Sequence, residues 1–399
     1  MAGSNQMKLQ EMAIRYYIFF AILTLIPIST VYGSWNDNFA SRGYIKETPI
    51  LWQPPSYLDN VDWRFDNPLH LRNSFRYYAN DNFTFGLELK TRLYLGESVD
   101  LIRVGTESSQ FGKTYYDLDR DFIDEENFVL STAIDRAWVN YIYASLELTL
   151  GRQRVAWGTN LIWNPIDIFN PSSPLDFDNE EMPGADVIKA QYYFGTNSHL
   201  EFAIAPQEIT DSSTAALLLK VNKWQYDWMF IGGRRGYETV WGFAWAGNIL
   251  DGGFRGEALY SVPRKDAFYV NENIVVSVSG DYSFPNSLYI HSGVLYNDLG
   301  TEDNAGGFWL LRSYFLRWLT PAKYSLFGQI AKDLSPLIRA DINSIYNPND
   351  ESWYLGPSLT WSAKTDFDIT FSGLIFGGDD FTEFGDNGGI LMLRAKYSF

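Results

Sequence analysis

Apolar and polar side chains alternate most clearly over residues 83–95. The odd positions are apolar except Thr91, and the even positions include Glu88, Lys90 and Arg92. This period of two is typical of a β-strand with one apolar and one polar face. A strand of a soluble sheet usually has about 5–6 residues, whereas a tilted strand that crosses a bilayer needs about 9–11. The segment is long enough to cross a bilayer.

The same pattern recurs along most of the chain and predicts an all-β, transmembrane, antiparallel up-and-down barrel. Short polar turns, as at 79–82, 195–198, 284–287 and 363–366, separate some segments. Long loops are predicted at 97–127, 157–186, 297–322 and 377–388. In outer-membrane barrels short turns and long loops lie at opposite ends, so they alternate along the chain. Applying this rule predicts about 18 strands, with 16 as the alternative.

The alternation of turns and loops also decides two ambiguous segments. It requires a first strand at 39–48, and it assigns the apolar stretch 308–319 to an outer loop. The predicted strands are 39–48, 69–79, 83–95, 129–142, 145–156, 186–194, 199–205, 214–222, 224–232, 239–248, 254–262, 271–284, 287–296, 323–332, 337–346, 352–363, 366–376 and 389–399.

The first 33 residues have the pattern of a secretory signal peptide. Lys8 and Arg15 precede an apolar run at 16–26, and Val31-Tyr32-Gly33 supplies compact residues for cleavage. The alternative, a membrane anchor, would need a run of about 20 apolar residues. We therefore expect a signal peptide at 1–33 and the barrel at 34–399.

Composition supports this class of protein. Aromatic residues make up 17% of the chain, and cysteine is absent. Without cysteine there are no disulfides, thiolate metal sites or cysteine nucleophiles. The last strand alternates apolar and polar residues and ends at Phe399, as in strands that the outer-membrane insertion machinery reads. That machinery is thus a predicted partner, and the predicted location is the Gram-negative outer membrane.

The sequence Gly151-Arg152-Gln153-Arg154-Val155-Ala156-Trp157-Gly158, followed by Asn164-Pro165-Ile166-Asp167-Ile168-Phe169-Asn170-Pro171, resembles a motif of a poorly characterised family of porin-like outer-membrane proteins. Alginate-export-type barrels are a more distant comparison. The resemblance implies a monomeric porin-like barrel and does not identify a solute.

Alternation also predicts which side chains line the lumen and which, like Leu87, Leu89 and Leu93, face lipid. The lumenal candidates are Glu88, Lys90, Arg92, Lys189, Gln191, Arg255, Arg394 and Lys396. Arg152, Gln153 and Arg154 are further candidates, and for Arg152 and Arg154 this requires that Gly151 form a bulge that turns them inward. Without a bulge, Arg152 and Arg154 would point outward and could bind lipopolysaccharide phosphates. If they face inward, they would form a basic rung for an anionic solute.

The loop after this motif is too apolar to be purely solvated. Trp157, Trp163, Asp167 and Phe169 are therefore candidates for a constriction folded into the barrel, and packing against other loops above the rim is the alternative. The acidic segment 117–126 lacks the glycine and glutamate positions of a calcium loop, so we expect a solvated loop there. His70, His199 and His291 lie on separate predicted strands with no nucleophile motif. We predict neither enzymatic activity nor a metal or other cofactor.

The predicted function is a porin-like channel for passive diffusion of small polar or anionic solutes. A structural or assembly barrel and, less favoured, an outer-membrane hydrolase are the alternatives. The net charge of −17 lies mostly in the predicted outer loops, where divalent cations could bridge acids to lipopolysaccharide. Predicted lumenal acids and bases nearly cancel. Weak ion selectivity is therefore expected, leaning towards anions if Arg152 and Arg154 face inward. No nucleic-acid partner is expected.

Overall fold

A computed structural model describes residues 38–53, 63–99, 114–170, 181–182, 184–209, 212–265, 267, 271–306, 319–385 and 387–399. Its strands are β1 (Phe39–Glu47), β2 (Ile50–Trp52), β3 (Arg64–Asp66), β4 (Leu69–Tyr78), β5 (Phe83–Leu95), β6 (Asp119–Glu125), β7 (Phe128–Tyr143), β8 (Leu146–Gln153), β9 (Ala185–Tyr193), β10 (His199–Ala205), β11 (Thr214–Lys223), β12 (Tyr226–Arg235), β13 (Glu238–Ile249), β14 (Gly252–Pro263), β15 (Asn273–Ser283), β16 (Leu288–Asn297), β17 (Tyr324–Ser335), β18 (Ile338–Tyr346), β19 (Trp353–Lys364), β20 (Phe367–Gly377) and β21 (Ile390–Ser398).

These strands form a closed antiparallel barrel of 18 strands, which confirms the predicted fold. Each long strand pairs with the next along the chain, and β21 pairs with β1 to close the wall. At that seam the Gly43 and Phe399 backbones exchange hydrogen bonds of 2.7 and 2.9 Å. The short strands β2 and β3 extend β1 and β4 beyond the barrel proper.

The predicted loop at 97–127 contains a strand that the sequence did not reveal. β6 pairs with the outer part of β7, on the same edge that β8 occupies nearer the periplasm. Every side chain of β6 is exposed. With no buried face, the strand leaves no alternation in the sequence, and only its backbone pairing with β7 reveals it.

The two faces of the wall follow the predicted alternation. On β5, Phe85 and Leu87 are exposed to the outside, whereas Glu88 and Lys90 are buried on the lumenal side. Leu93 departs from this prediction because it is buried in a cluster with Leu69, Leu95 and Phe128. Protein, not lipid, covers it.

Short turns occur where they were predicted, for example between β4 and β5 and between β15 and β16. No helix among the described residues has the length and apolar character to span a bilayer. The predicted signal peptide at 1–33 and the stretch 308–318 lie outside the described residues. The segment 308–319 was assigned to a loop, and the chain around it runs from β16 to β17 as that assignment requires.

Candidate functional site

After β8 the chain turns into the barrel and forms an inward loop, residues 154–170. Its side chains Val155, Trp157, Ile166, Ile168 and Phe169 are buried together with lumenal residues of β9–β14. Many of those wall residues are small: Ala185, Ala203, Ala205, Ala216 and Ala244. Small side chains on the wall leave room for the large side chains of the loop to pack closely.

A single buried carboxylate on β14 anchors the inward loop. Glu257 is fully buried. Its Oε1 accepts hydrogen bonds from Thr159 N at 2.5 Å, Thr159 Oγ1 at 3.0 Å and Asn160 N at 2.9 Å. Its Oε2 accepts a bond from Ile166 N at 3.2 Å. The loop backbone therefore has its donors satisfied inside the barrel, where an unpaired N–H would be costly.

A second carboxylate holds the aromatic side chain of the loop. Trp157 Nε1 donates to Glu201 Oε1 on β10 at 2.7 Å, and Gln191 Nε2 donates to the other oxygen at 2.7 Å. The Trp157 and Phe169 rings make an edge-to-face contact at 4.9 Å. Gln191, a predicted lumenal residue, thus helps to hold the loop.

The tip of the loop reaches the other side of the barrel. Trp163 is buried in a cluster with Phe327, Ile345, Tyr354 and Phe384. Asn160 Nδ2 donates to Ser277 Oγ at 3.0 Å, and Ser279 Oγ donates to Asn160 Oδ1 at 2.7 Å. The inward loop therefore crosses the lumen from β9–β14 towards β15–β19.

Asp167 is buried at the base of the inward loop. The pKa of its carboxyl is raised from 3.8 to about 7 by burial and by the neighbouring Glu257, although a hydrogen bond from the Asn170 backbone N–H at 3.4 Å opposes the shift. A carboxyl with this pKa changes its charge near neutral pH. We therefore expect the packing of the loop to depend on pH.

The structure separates the three candidates at the end of β8. Gly151 has a φ of +113°, but the pairing of β8 with β7 and β9 shows no register shift. Arg152 is buried within the wall, with Nε donating to Asp186 at 2.9 Å and Nη1 donating to the Ile134 carbonyl at 3.0 Å. It also donates to the Tyr116 carbonyl. Because its donors bind protein groups, Arg152 does not form the basic rung for a solute that was expected if it faced inward.

Gln153 and Arg154 differ from Arg152. Gln153 is buried, and its amide donates to the Thr149 and Val187 carbonyls at 3.1 Å each. Arg154 is exposed at the start of the inward loop. Arg152 and Gln153 therefore both bind groups of the neighbouring wall strands, whereas Arg154 is exposed.

The strongest concentration of lumenal charge lies on the neighbouring strands β21, β1, β4 and β5, which we call the basic sector. Strand register places Lys396 opposite Lys46, Lys46 opposite His70, and His70 opposite Arg92, so that they form one row across the wall. Lys396 Nζ lies 4.6 Å from the centre of the Tyr44 ring. The lumenal bases of this sector are Arg42, Lys46, Arg72, Arg76, Lys90, Arg92, Arg394 and Lys396. The structure describes all lumenal positions of these four strands, and Glu88 is the one acid among them.

Several of these bases were not among the predicted lumenal residues: Arg42, Lys46, Arg72 and Arg76, which lie on β1 and β4. The sequence also gives no sign of the bulge in β7, where Glu88 pairs with Arg136 and Leu89 with Ile134. The extra residue, Asp135, places both Asp135 and Arg136 on the lumenal side. The predicted cancellation of lumenal charge therefore does not hold in this sector.

Elsewhere on the wall several bases are paired with acids. Lys220 Nζ lies 2.8 Å from Asp227, and Arg255 is bonded to Asp281. Arg339 Nη1 lies 2.9 Å from Asp333. Lys189, partly exposed on β9, is the other base predicted there. Charge is more evenly balanced on these strands than in the basic sector.

The histidines lie apart, on β4, β10 and β16. His70 and His291 are buried, and His199 Nε2 lies 3.8 Å from Glu201 Oε2. Within the described part of the chain, no group of three or more histidine and acidic side chains could hold a metal ion. The acidic loop 377–388 contributes Glu383 and Phe384, both buried, and Glu383 accepts hydrogen bonds from Thr320 and Asn347.

Neither a protein-family model nor a curated protein matches the sequence. Solved structures do match the fold. The outer-membrane protein OprD from Pseudomonas aeruginosa has a TM-score of 0.59 at 9% identity, over 90% of this chain and 93% of that chain. Acinetobacter baumannii OccAB4 has a TM-score of 0.58 at 10% identity, over 92% and 99%. OccAB2 from the same organism has a TM-score of 0.57 at 12% identity, over 92% and 99%. At these identities the likeness is one of fold.

Proposed function

We propose that this protein is an outer-membrane channel through which small solutes with negative charge diffuse passively. The observation that carries the proposal is the basic sector, where bases outnumber acids along one continuous side of the lumen. A row of like charges on a low-dielectric wall attracts counter-ions into a passage. A barrel of 16–18 strands is wide enough to leave an aqueous lumen.

The position of the inward loop supports this choice of side. The loop packs on the lumenal faces of β9–β14, and its tip reaches β17 through Trp163 and Phe327, whose rings lie 6.3 Å apart. The bases of the basic sector lie on β21, β1, β4 and β5, outside the strands β9–β14 on which the loop packs. Arg92, Arg394 and Lys396 are partly exposed there, whereas Lys46, His70, Arg72 and Lys90 are buried.

The outer surface supports a location in a bilayer. Large apolar side chains stand exposed along the outward positions of the strands, among them Leu217, Trp241, Ile330, Phe371 and Leu393. Water would not stabilise such a surface, but lipid tails would. We therefore propose export with removal of residues 1–33, insertion through the terminal strand ending at Phe399, and contact of the acidic outer loops with lipopolysaccharide through divalent cations.

Reversal potentials in planar bilayers under a potassium chloride gradient test the proposal. We expect anions to be preferred, and more strongly at low ionic strength, because screening shortens the reach of the basic sector to about 8–10 Å in ordinary salt. A pure barrel that inserts but prefers cations would contradict the choice of solute. A pure, folded barrel that conducts no ions would contradict the channel itself and favour a structural role.

A further inference from the structure

Two lumenal arginines lie next to a carboxylate that belongs to the segment between β8 and β9. Arg72 on β4 and Arg136 on β7 flank the central strand β5. The Oε2 atom of Glu181 lies 3.1 Å from Arg72 Nε and 3.8 Å from Arg136 Nη2. Arg136 Nη2 also donates to the Met182 carbonyl at 2.9 Å. This arginine pair therefore already binds a carboxylate.

The arginine pair does not need Glu181 to balance its charge. Arg72 Nη2 lies 2.5 Å from both Glu88 Oε2 and Asp135 Oδ2, and Arg136 Nη1 lies 3.5 Å from Glu88 Oε1. Two wall carboxylates thus neutralise the two guanidinium groups, and Glu181 adds a third carboxylate. The side chain of Glu181 is 39% exposed, whereas those of Arg72, Glu88 and Asp135 are almost fully buried. Glu181 is the loosely held member of the cluster.

The hydrogen bonding between Glu181 and the arginine pair is also incomplete. Among the described residues, neither Arg72 Nε nor Arg136 Nε has a hydrogen-bond partner, although both atoms are buried. Glu181 is close enough to Arg72 for an ion pair but is not aligned with its N–H. Buried donors without an acceptor are costly, and a carboxylate that is free to orient can bind guanidinium N–H groups in the stronger bidentate way.

We propose that the Glu181 side chain holds the place of a solute carboxylate on Arg72 and Arg136, and that carboxylate-bearing solutes exchange with it. The inference rests on the proposed function, because the solute reaches the pair through the lumen. The exchange replaces one carboxylate with another, so the charge of the buried cluster does not change. It requires only that the partly exposed Glu181 side chain rotate into solvent.

The test is the affinity of the full-length, detergent-solubilised barrel for succinate, measured by isothermal titration calorimetry. Glu181→Gln removes the competing carboxylate. If Glu181 occupies the pair in about 90% of molecules, its removal raises the apparent affinity about tenfold. Succinamide, which has the same skeleton without charge, should bind no better to the variant than to the natural protein.

Glu208→Gln is the matched control, because it makes the same charge change at an exposed position between β10 and β11. We expect its succinate affinity to stay within about twofold of the natural protein, since exposed charges at a distance are screened. Adding Arg136→Gln to Glu181→Gln should cancel the gain. Should Glu181→Gln fail to give a folded, heat-modifiable barrel, Glu181→Ala makes the same test.

Unchanged succinate affinity in a folded Glu181 variant would overturn the inference, as would an equal gain in Glu208→Gln. Conductance of the same preparations in planar bilayers separates this failure from a failure of the proposed function. A barrel that conducts anions but shows no gain in affinity refutes the exchange alone, whereas loss of the channel function would show as absent conductance in the natural protein.

Discussion

The two sides of the lumen differ much more than the two sides of the outer surface. Around the outside, strands on every side present the same kind of exposed apolar residues, such as Leu87 on β5 and Trp241 on β13. Inside, β9–β14 present small apolar residues and two anchoring carboxylates, whereas β21, β1, β4 and β5 present a row of bases. Contact with lipid favours apolar side chains at every outward position, whereas lumenal positions can be apolar on one side and charged on another.

This difference shows how one barrel can carry two tasks. The packed side holds the inward loop through Glu257 and Glu201, and its alanines receive the large side chains of the loop. In the basic sector Arg92, Arg394 and Lys396 are partly exposed on the lumenal side. In the channel that we propose, the loop on one side would set the width of the passage and these bases on the other would set its charge preference.

Both sides of the lumen depend on a closed wall, and deleting Phe399 should disrupt that wall most. The backbone of Phe399 pairs with Gly43 across the β21–β1 seam, and its ring lies against Gly43. We expect the level of folded barrel to fall severely, with near-normal conductance per assembled molecule. Heat-modifiable mobility on gels measures assembly, and Phe399→Tyr, which keeps an aromatic ring, is the control. Normal assembly after deletion would refute the role of the terminal residue.

The substitution Glu257→Ala should release the inward loop from the packed side of the lumen. The backbone N–H groups of Thr159, Asn160 and Ile166 would lose their acceptor, at about 1–3 kcal/mol for each donor left buried. We expect the inward loop to leave its place, with a several-fold rise in single-channel conductance and faster proteolysis near residue 160. Glu257→Gln keeps one acceptor oxygen and should have a smaller effect. A Glu257→Ala channel with unchanged conductance and protease resistance would show that the loop is held by packing alone.

Removing charge from each side of the lumen in turn tests which side sets the ion selectivity. The double change Arg92→Gln with Lys396→Gln should shift the reversal potential clearly towards cations, because both bases lie in the row beside the passage. The matched change Lys220→Gln with Arg255→Gln removes as much charge from positions bound to Asp227 and Asp281. We expect a smaller shift from it. Equal shifts would mean that total lumenal charge, and not the basic sector, sets selectivity.

The smallest expected effect concerns pH. Burial raises the pKa of Asp167 from 3.8 to about 7 in the docked loop. Its contribution to docking is therefore complete below about pH 4, where the carboxyl is neutral in both states, and is lost as pH rises towards 7. Protease sensitivity of the inward loop in the intact barrel should increase over this range. Asp167→Asn should remove the dependence, and an unaltered pH profile in that variant would assign it to another group.

Alternation predicted the strands well where one face meets lipid. The first strand, the long β5 and the terminal β21 all lie where the sequence placed them. β6 was missed because all of its side chains are exposed, so that neither face needed apolar residues. Asp135 and Arg136 were missed because a bulge reverses the alternation of β7 partway along, and its position depends on pairing with β5.

Contact with lipid leaves a local pattern with a period of two, and the class of fold, the number of strands and the outward positions could therefore be predicted from the sequence. Trp157, Trp163, Asp167 and Phe169 could be named as candidates for a constriction, but the groups that they contact could not. In the folded barrel Trp157 donates to Glu201 and packs with the alanines of β9–β13, whereas Trp163 packs with Phe327 on the other side of the lumen. The row from Lys396 to Arg92 likewise exists only through register, which joins residues far apart in the chain.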